Sequence, residues 1–451
     1  MKSSLAALTL AGAVVIGGAC ALSAPFVFGN LTGDASDPLG EPVTPALIKQ
    51  GAYVAVLSDC AACHTAPGGQ PFAGGLAIAT PIGKVYTTNI TPDKANGIGN
   101  FSYGDFERAV RRGVLPGGTS LYPAMPFPSY ARLTDADTKA LYAYFMNGVP
   151  PAAVADKMPD IPWPLSMRWP LTYWRWLFSP GVHPATYADA TDPELSRGAY
   201  LVEGPGHCGS CHTPRGIGMQ EVALTDQDGP RYLAGGVIDD YSAVDLRGDP
   251  LTGLGAWSED DIVQFLKIGH NTHYAAFGGM ADVVEHSTQH MTDSDLTAIA
   301  HYLKSLPPAS GGAAPFAYDD TEAKQLAALN VSAPGALEYM NNCSACHLSS
   351  GKGYDDTFPA LTGNPAVLAD NGISVVNIIL NGSTRPATAG APTNFAMPSF
   401  ASRLTDGQVA ALATFIRGMW GNHADPVPVS LVSQVRTQTG APMPARDANT
   451  Q

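Results

Sequence analysis

Basic residues are in short supply. Only 25 Lys and Arg stand against 39 Asp and Glu, for a formal net charge of −14. That leaves no basic stripe to neutralise phosphates and excludes nucleic acid as a partner. Long apolar runs are absent after the first 24 residues, where nothing approaches the roughly 20 uninterrupted apolar residues that span a bilayer. The chain beyond them reads as soluble or peripheral. There is no Gly-rich dinucleotide loop following a strand and no Gly-x-Ser-x-Gly elbow, so no catalytic residue and no primary substrate site is assigned. Gly216-Ile217-Gly218 reads as a turn. Cysteine is scarce as well, at seven in 451 residues, and its placement is informative.

Six of the seven fall into Cys60-Ala-Ala-Cys63-His64, Cys208-Gly-Ser-Cys211-His212 and Cys343-Ser-Ala-Cys346-His347. Cys20 stands alone, inside an N-terminal stretch (1–24) that opens with Lys2 and runs through LAALTLAGAVVIGGA to Ala19-Cys20-Ala21. This is the pattern of a secretory signal cleaved after Ala21, which would remove the odd cysteine. An uncleaved anchor or a lipidated Cys20 is the competing reading, and Gly17, Gly18 and Ala19 suit lipidation poorly.

The three motifs belong to an internal repeat. Each follows a lead-in: Gly51-Ala52-Tyr53, Gly198-Ala199-Tyr200 and Gly335-Ala336-Leu337-Glu338-Tyr339. Each is followed by a helical pattern beginning at Phe101, Trp257 or Ile373, then by a methionine, and then by a closing helix from Leu133, Met291 or Leu404. Thr134 with Asp137, Thr292 with Asp295, and Thr405 with Gln408 have the spacing of a capping box at the start of those closing helices. The expected fold is all-α, with three tandem domains over residues 45–150, 191–310 and 330–425. A linker (151–190), PPASGGAAP after Leu306 and a tail (426–451) lie outside them. The tail reads as a docking arm or a disordered end.

Three chemistries compete for the motifs. A zinc site needs four ligands, and no second Cys or His pair recurs in each domain. A thioredoxin-like redox pair needs a strand-to-helix context that these helical surroundings lack. Covalent attachment of haem c accounts for every element: both thiols add to the haem vinyls, and the adjacent histidine becomes an axial iron ligand. Cys60, Cys63, Cys208, Cys211, Cys343 and Cys346 are the expected attachment points of three haems, with His64, His212 and His347 on the iron.

Sixth ligands separate electron transfer from ligand chemistry, because a filled iron leaves no open position for substrate. Met125 and Met397 each precede a proline shortly before a closing helix, in PAMPFPSYARLT and FAMPSFASRLT. In the middle domain, FGGMADVVEHSTQHMTDSDL lacks that pair. There Met280 is the expected ligand and Met291 a core residue. His270, His273, His286 and His290 keep bis-histidine ligation or an open iron in play, although each alone reads as part of a polar surface loop.

With these motifs in place, the chain resembles the triple-haem cytochrome c subunit of membrane-bound, quinone-dependent dehydrogenases of acetic acid bacteria and relatives. That group includes the alcohol, aldehyde, gluconate, sorbitol and fructose dehydrogenases. The resemblance implies three tandem class I cytochrome c domains at the periplasmic face of the cytoplasmic membrane. It implies a separate large subunit carrying pyrroloquinoline quinone or a flavin, in some cases a small third subunit, and ubiquinone as the acceptor. It also implies His64, His212 and His347 as proximal and Met125, Met280 and Met397 as distal ligands. Two rivals remain: a free multihaem carrier serving a terminal oxidase, and a haem enzyme working at the middle domain's irregular site.

The linker PWPLSMRWPLTYWRWLFSP holds Trp163, Trp169, Trp174 and Trp176 with Arg168 and Arg175. Tryptophan beside arginine suits the headgroup layer of a membrane. Leu171, Trp174, Leu177 and Phe178 are expected to share one helical face, with an inter-domain strap as the alternative.

Overall fold

In each of the three repeats, an opening and a closing helix meet at a glycine. The N-terminal repeat has α1 (Pro45–Leu57), α2 (Tyr103–Arg112) and α3 (Asp135–Asn147), followed by α4 (Pro170–Phe178). The middle repeat has α5 (Pro193–Glu203), α6 (Glu259–Ile268), α7 (Gly279–His286) and α8 (Asp293–Ser305). The C-terminal repeat has α9 (Ala336–Asn342), α10 (Ile373–Asn381), α11 (Asp406–Gly418) and α12 (Val429–Thr439). The structure is a computed structural model that describes residues 39–183, 191–355 and 357–444. The signal at 1–24 with Cys20, the end of the 151–190 linker and the last residues of the tail lie outside the described residues.

A Cβ on Gly51 would stand 1.9 Å from the Ala140 carbonyl oxygen, one on Gly198 1.9 Å from that of Ala298, and one on Gly335 2.3 Å from that of Ala411. Only glycine permits so close an approach. Each alanine lies six positions beyond the threonine that caps its helix (134 to 140, 292 to 298, 405 to 411), so one crossing is built three times. The caps themselves form: Thr134, Thr292 and Thr405 accept from the backbone N–H of Asp137, Asp295 and Gln408 at 3.0, 3.2 and 3.3 Å. Ser102 and Ser258 cap α2 and α6 with full capping boxes.

Aromatic and polar contacts then lock each crossing. Phe72 meets Phe145 edge-on at 5.2 Å in the first repeat. In the second, Arg197 forks onto Asp295 with two 2.8 Å bonds, and the Tyr302 hydroxyl donates to Glu203 at 2.6 Å. In the third, Tyr339 packs against Phe415 and Trp420, and all three are buried.

His301, on α8, bridges Glu259 at the start of α6 (3.1 Å) and Asp192 at the N-cap of α5 (3.2 Å). The hydrogen bonds to Glu259 and then Asp192 hold its imidazole above the ordinary value of 6.5. A raised folded-state pKa means that the clasp's stabilisation is complete below that ordinary value and is lost as pH rises through the raised one. Melting curves are therefore expected to show His301→Gln trailing the parent protein at acidic pH and converging with it at alkaline pH. A gap independent of pH would mean that the clasp carries no charge.

Helices dominate, yet the structure is not purely helical. Among the described residues three short antiparallel ladders occur: β1 (Ala77–Thr80) with β2 (Gly83–Tyr86), β3 (Gly236–Ile238) with β4 (Tyr241–Ala243), and β5 (Ser383–Thr384) with β6 (Ala396–Met397). Ladders of two to four residues offer at most the shortest alternation that a sequence can signal.

The described residues divide into two compact units. One holds the chain up to Ala55 and from Cys63 to His183; the other holds Val56–Ala62 and the chain from Thr191 onward. The middle and C-terminal repeats thus share a unit. Ser242 joins Ser374 and Asn371 at 2.8 and 2.6 Å, and Asn377 donates to the Asp240 carbonyl at 2.9 Å. The stretch after Leu306 is stitched rather than loose. The Pro307 carbonyl accepts from Arg247, the Ala313 N–H donates to Asp249, and the Asp319 N–H donates to the Trp420 carbonyl.

The tail also takes part. Val432 and Val435 on α12 are fully buried, and Arg436 binds Asp406 at 2.7 Å and the Leu404 carbonyl at 2.9 Å. Residues 429–439 are therefore part of the third repeat's core, which corrects the reading of this stretch as a docking arm or disordered end.

Candidate functional site

Each cysteine-histidine motif is one helical turn: Cys60–His64, Gly209–His212 after Cys208, and Ser344–His347 after Cys343. Residues three and four apart lie on the same side of a helix. The spacing therefore sets two thiols and an imidazole on one face, the arrangement needed to hold a planar group by its edge and its centre.

The histidines share a feature with no sequence signature. His64 Nδ1 lies 2.7 Å from the Thr88 carbonyl, His212 Nδ1 2.7 Å from that of Val244, and His347 Nδ1 3.0 Å from that of Pro359. In each ring Nδ1 carries the proton toward the carbonyl, and Nε2 is left with its lone pair for a metal. Burial, the largest cause in all three, holds their pKa values below the ordinary one. Neutral imidazole is the ligating form.

None of these six cysteines is joined in a disulfide among the described residues. Burial pushes Cys208 and Cys343 up to about 12 and Cys211 up to about 11. Among the described residues no group of three His, Cys, Asp or Glu is placed to hold a metal ion. Beside the second motif, Glu221 Oε2 and the Tyr232 hydroxyl are buried with no hydrogen-bond partner among the described residues, as polar atoms facing a bound group would be. Burial raises the Glu221 carboxyl to about 7. Thiols on one face, a supported neutral imidazole and these orphaned atoms fit covalently attached haem.

The methionines fall on three different supports. Met125 is half-buried in a turn, its N–H donating to the Tyr122 carbonyl. Met280 is the second residue of α7 and is half-buried. Met397 lies on β6, opposite Ser383, and packs against the same buried cluster that contains Cys343. Met291 is buried.

The four middle-repeat histidines separate. His286 and His290 are exposed, whereas His273 stacks on Trp257 at 5.2 Å. His270 is buried, with Nδ1 3.3 Å from the Ile268 carbonyl and Nε2 3.4 Å from Arg385. For His270 the surface-loop reading is corrected: Arg385, 115 positions away in sequence, covers it.

The aromatic linker packs on the loop that carries Met125. Trp174 meets Phe127 edge-on at 6.0 Å, Arg168 lies 4.0 Å from the Tyr122 ring and bonds the Ser120 carbonyl, and Arg175 bonds the Ser120 hydroxyl at 3.3 Å. Both arginines therefore turn inward, contrary to a headgroup role. Leu177 is 61% exposed, whereas Leu171, Trp174 and Phe178 are half-buried. The outward side carries Trp163, Trp169, Trp176 and Leu177 and no charged side chain from Ile161 to Pro180 other than those two arginines.

Comparison with known proteins yields a match to the cytochrome c family model over residues 195–307 and 332–420, which contain the second and third motifs. The cytochrome c subunit of the quinone alcohol dehydrogenase of Gluconacetobacter polyoxogenes is 53% identical over 401 residues, 88% of this chain and 86% of that one. The gluconate 2-dehydrogenase cytochrome c subunit of Pantoea cypripedii is 54% identical, covering 84% of this chain and 87% of that one. The fructose dehydrogenase cytochrome subunit of Gluconobacter japonicus is 36% identical, covering 90% and 86%.

Proposed function

We propose, from the premise that this chain belongs to the family of cytochrome c subunits of dehydrogenases, that it carries three covalent haems and conducts electrons from a catalytic subunit to a quinone. The observation that carries the reading is the threefold recurrence of two thiols and a carbonyl-supported imidazole on one helical turn. Cys60 and Cys63, Cys208 and Cys211, and Cys343 and Cys346 are the thioether pairs. His64, His212 and His347 are the proximal ligands, and Met125, Met280 and Met397 the distal ones. Six-coordinate irons suit outer-sphere electron transfer. Substrate oxidation belongs to a flavin or pyrroloquinoline quinone subunit, acting on an alcohol, polyol, aldehyde or sugar acid.

The acceptor is ubiquinone, reached at the periplasmic face of the cytoplasmic membrane. No helix among the described residues is long and apolar enough to cross a bilayer. The charge-free outward side of 161–180 supports peripheral contact, since exposed tryptophan favours the interfacial layer. This surface also adjoins the Met125 loop, where the first haem would pass electrons outward.

The test is purification of the native protein from membranes in gentle detergent, with mass and haem content measured on the intact assembly. Three covalent haems together with a large flavin or pyrroloquinoline quinone subunit are expected. Three haems on an unaccompanied chain would make it a free carrier, and high-spin iron that binds carbon monoxide would favour a haem enzyme. In the same fractionation, changing Trp169 and Trp176 to Ser is expected to release the protein from washed membranes; full retention would rule out this surface as the contact.

A further inference from the structure

We propose that Arg385, oriented by His270, is the positioning residue for a carboxylate of the haem carried by Cys343 and Cys346, so that two repeats hold one cofactor. The inference rests on the haem reading above and adds the identity of the residues that grip the cofactor's acidic edge.

A shallow cleft opens in the second unit between residues 270–275 of the middle repeat and 352–355 and 357–360 of the C-terminal repeat, with Arg385 in its wall. Two observations tie it to the third motif. Pro359, also in the wall, supplies the carbonyl that supports His347. Arg385 continues the ladder that carries Met397: its N–H donates to the Phe395 carbonyl at 3.1 Å, two residues beyond the Ser383–Met397 pair. The cleft thus adjoins the backbone behind both proposed axial ligands of the third iron.

Its chemistry is cationic in a chain of net charge −14. Arg385 is 9% exposed, donates Nη1 to the Thr357 carbonyl at 3.1 Å and lies 5.4 Å from the Phe395 ring. Lys352 lines the cleft as well, and Asp355 is the one acidic side chain among the described residues of its wall. A guanidinium fork matches a carboxylate in shape and in charge, and the propionates are the anionic groups of haem. His270 steadies the fork from the neighbouring repeat, with its Nε2 against Arg385 Nη2. That loop is fixed in turn, because Gly269 adjoins Pro386 so closely that a Cβ would lie 2.5 Å from the proline ring.

Without the guanidinium the propionate charge would be less compensated and ferric iron favoured, so the midpoint potential should fall. The experiment is a potentiometric titration of the full, haem-loaded chain, with attachment at each motif read by mass. Arg385→Gln is expected to keep three haems and to lower one midpoint by about tenfold in the reduced-to-oxidised ratio, or 59 mV for one electron. The affected haem is expected to be the one whose spectrum Met397→Ala also alters. His270→Gln should move the same midpoint downward by less. Arg385→Lys, which keeps charge without the fork, should fall between Arg385→Gln and the parent, and it carries the test with His270→Gln if Arg385→Gln does not fold.

Unchanged midpoints with all haems attached would overturn the proposal. So would a shift confined to another haem, and an effect of Arg385 with none of His270 would overturn the sharing between repeats. Absence of haem from Cys343 and Cys346 in the unaltered chain would be a different failure, that of the haem reading itself.

Discussion

Met397→Ala is expected to leave haem attached through Cys343 and Cys346 and to lower the midpoint potential of one haem by on the order of 100 mV or more. In the proposed arrangement attachment is covalent and depends on the two thiols, so it would survive loss of the axial sulfur. A thioether stabilises ferrous iron relative to water or hydroxide, so its removal favours the ferric state. Met397 is a clean place to ask, because it lies on a two-residue strand opposite Ser383 and packs on a core of otherwise buried side chains. Alanine there keeps the ladder. A redox titration in which all three potentials stayed in place would remove Met397 from the iron.

The second large effect is on stability. Gly198→Val is expected to cost about 3 kcal/mol, at the upper end for overpacked interiors. The new Cβ would meet the Ala298 carbonyl oxygen at 1.9 Å, with the Ala298 carbonyl carbon and Tyr302 Cβ both at 2.7 Å. Two helices must separate to admit it, disturbing the Arg197–Asp295 fork and the Tyr302–Glu203 bond as they do. Gly407→Ala on α11 is the control, because nothing lies within 4 Å of the added atom and alanine favours a helix over glycine by up to about 1 kcal/mol. Denaturant unfolding separates the two outcomes. A Gly198→Val protein as stable as its parent would mean that the crossing is not close-packed.

These contacts explain how far the sequence alone carries. The motifs, their lead-in glycines and the capping threonines are local patterns that recur three times, and the structure builds the same crossing from them each time. Features set by distant partners were not legible. Arg168 and Arg175 turn inward because Ser120 and Tyr122 wait there, which composition beside tryptophan does not reveal. Likewise α12 has a weak pattern, and its burial depends on Asp406 and on the carbonyls of Ala401 and Leu404. The PPASGGAAP stretch has the composition of a linker, but Asp249 and Trp420 hold the residues around it in place. His270 has the sequence setting of a loop histidine, and only Arg385, 115 positions away, buries it.

The carbonyls that steady the three imidazoles come 24, 32 and 12 residues after their histidines. A backbone oxygen has no letter of its own, so selection can preserve it only as a position in space. The intervening segments are then free to lengthen, shorten and change identity, provided that one peptide plane returns to the same spot. The three repeats can therefore differ over most of their length and still return the same support to each histidine.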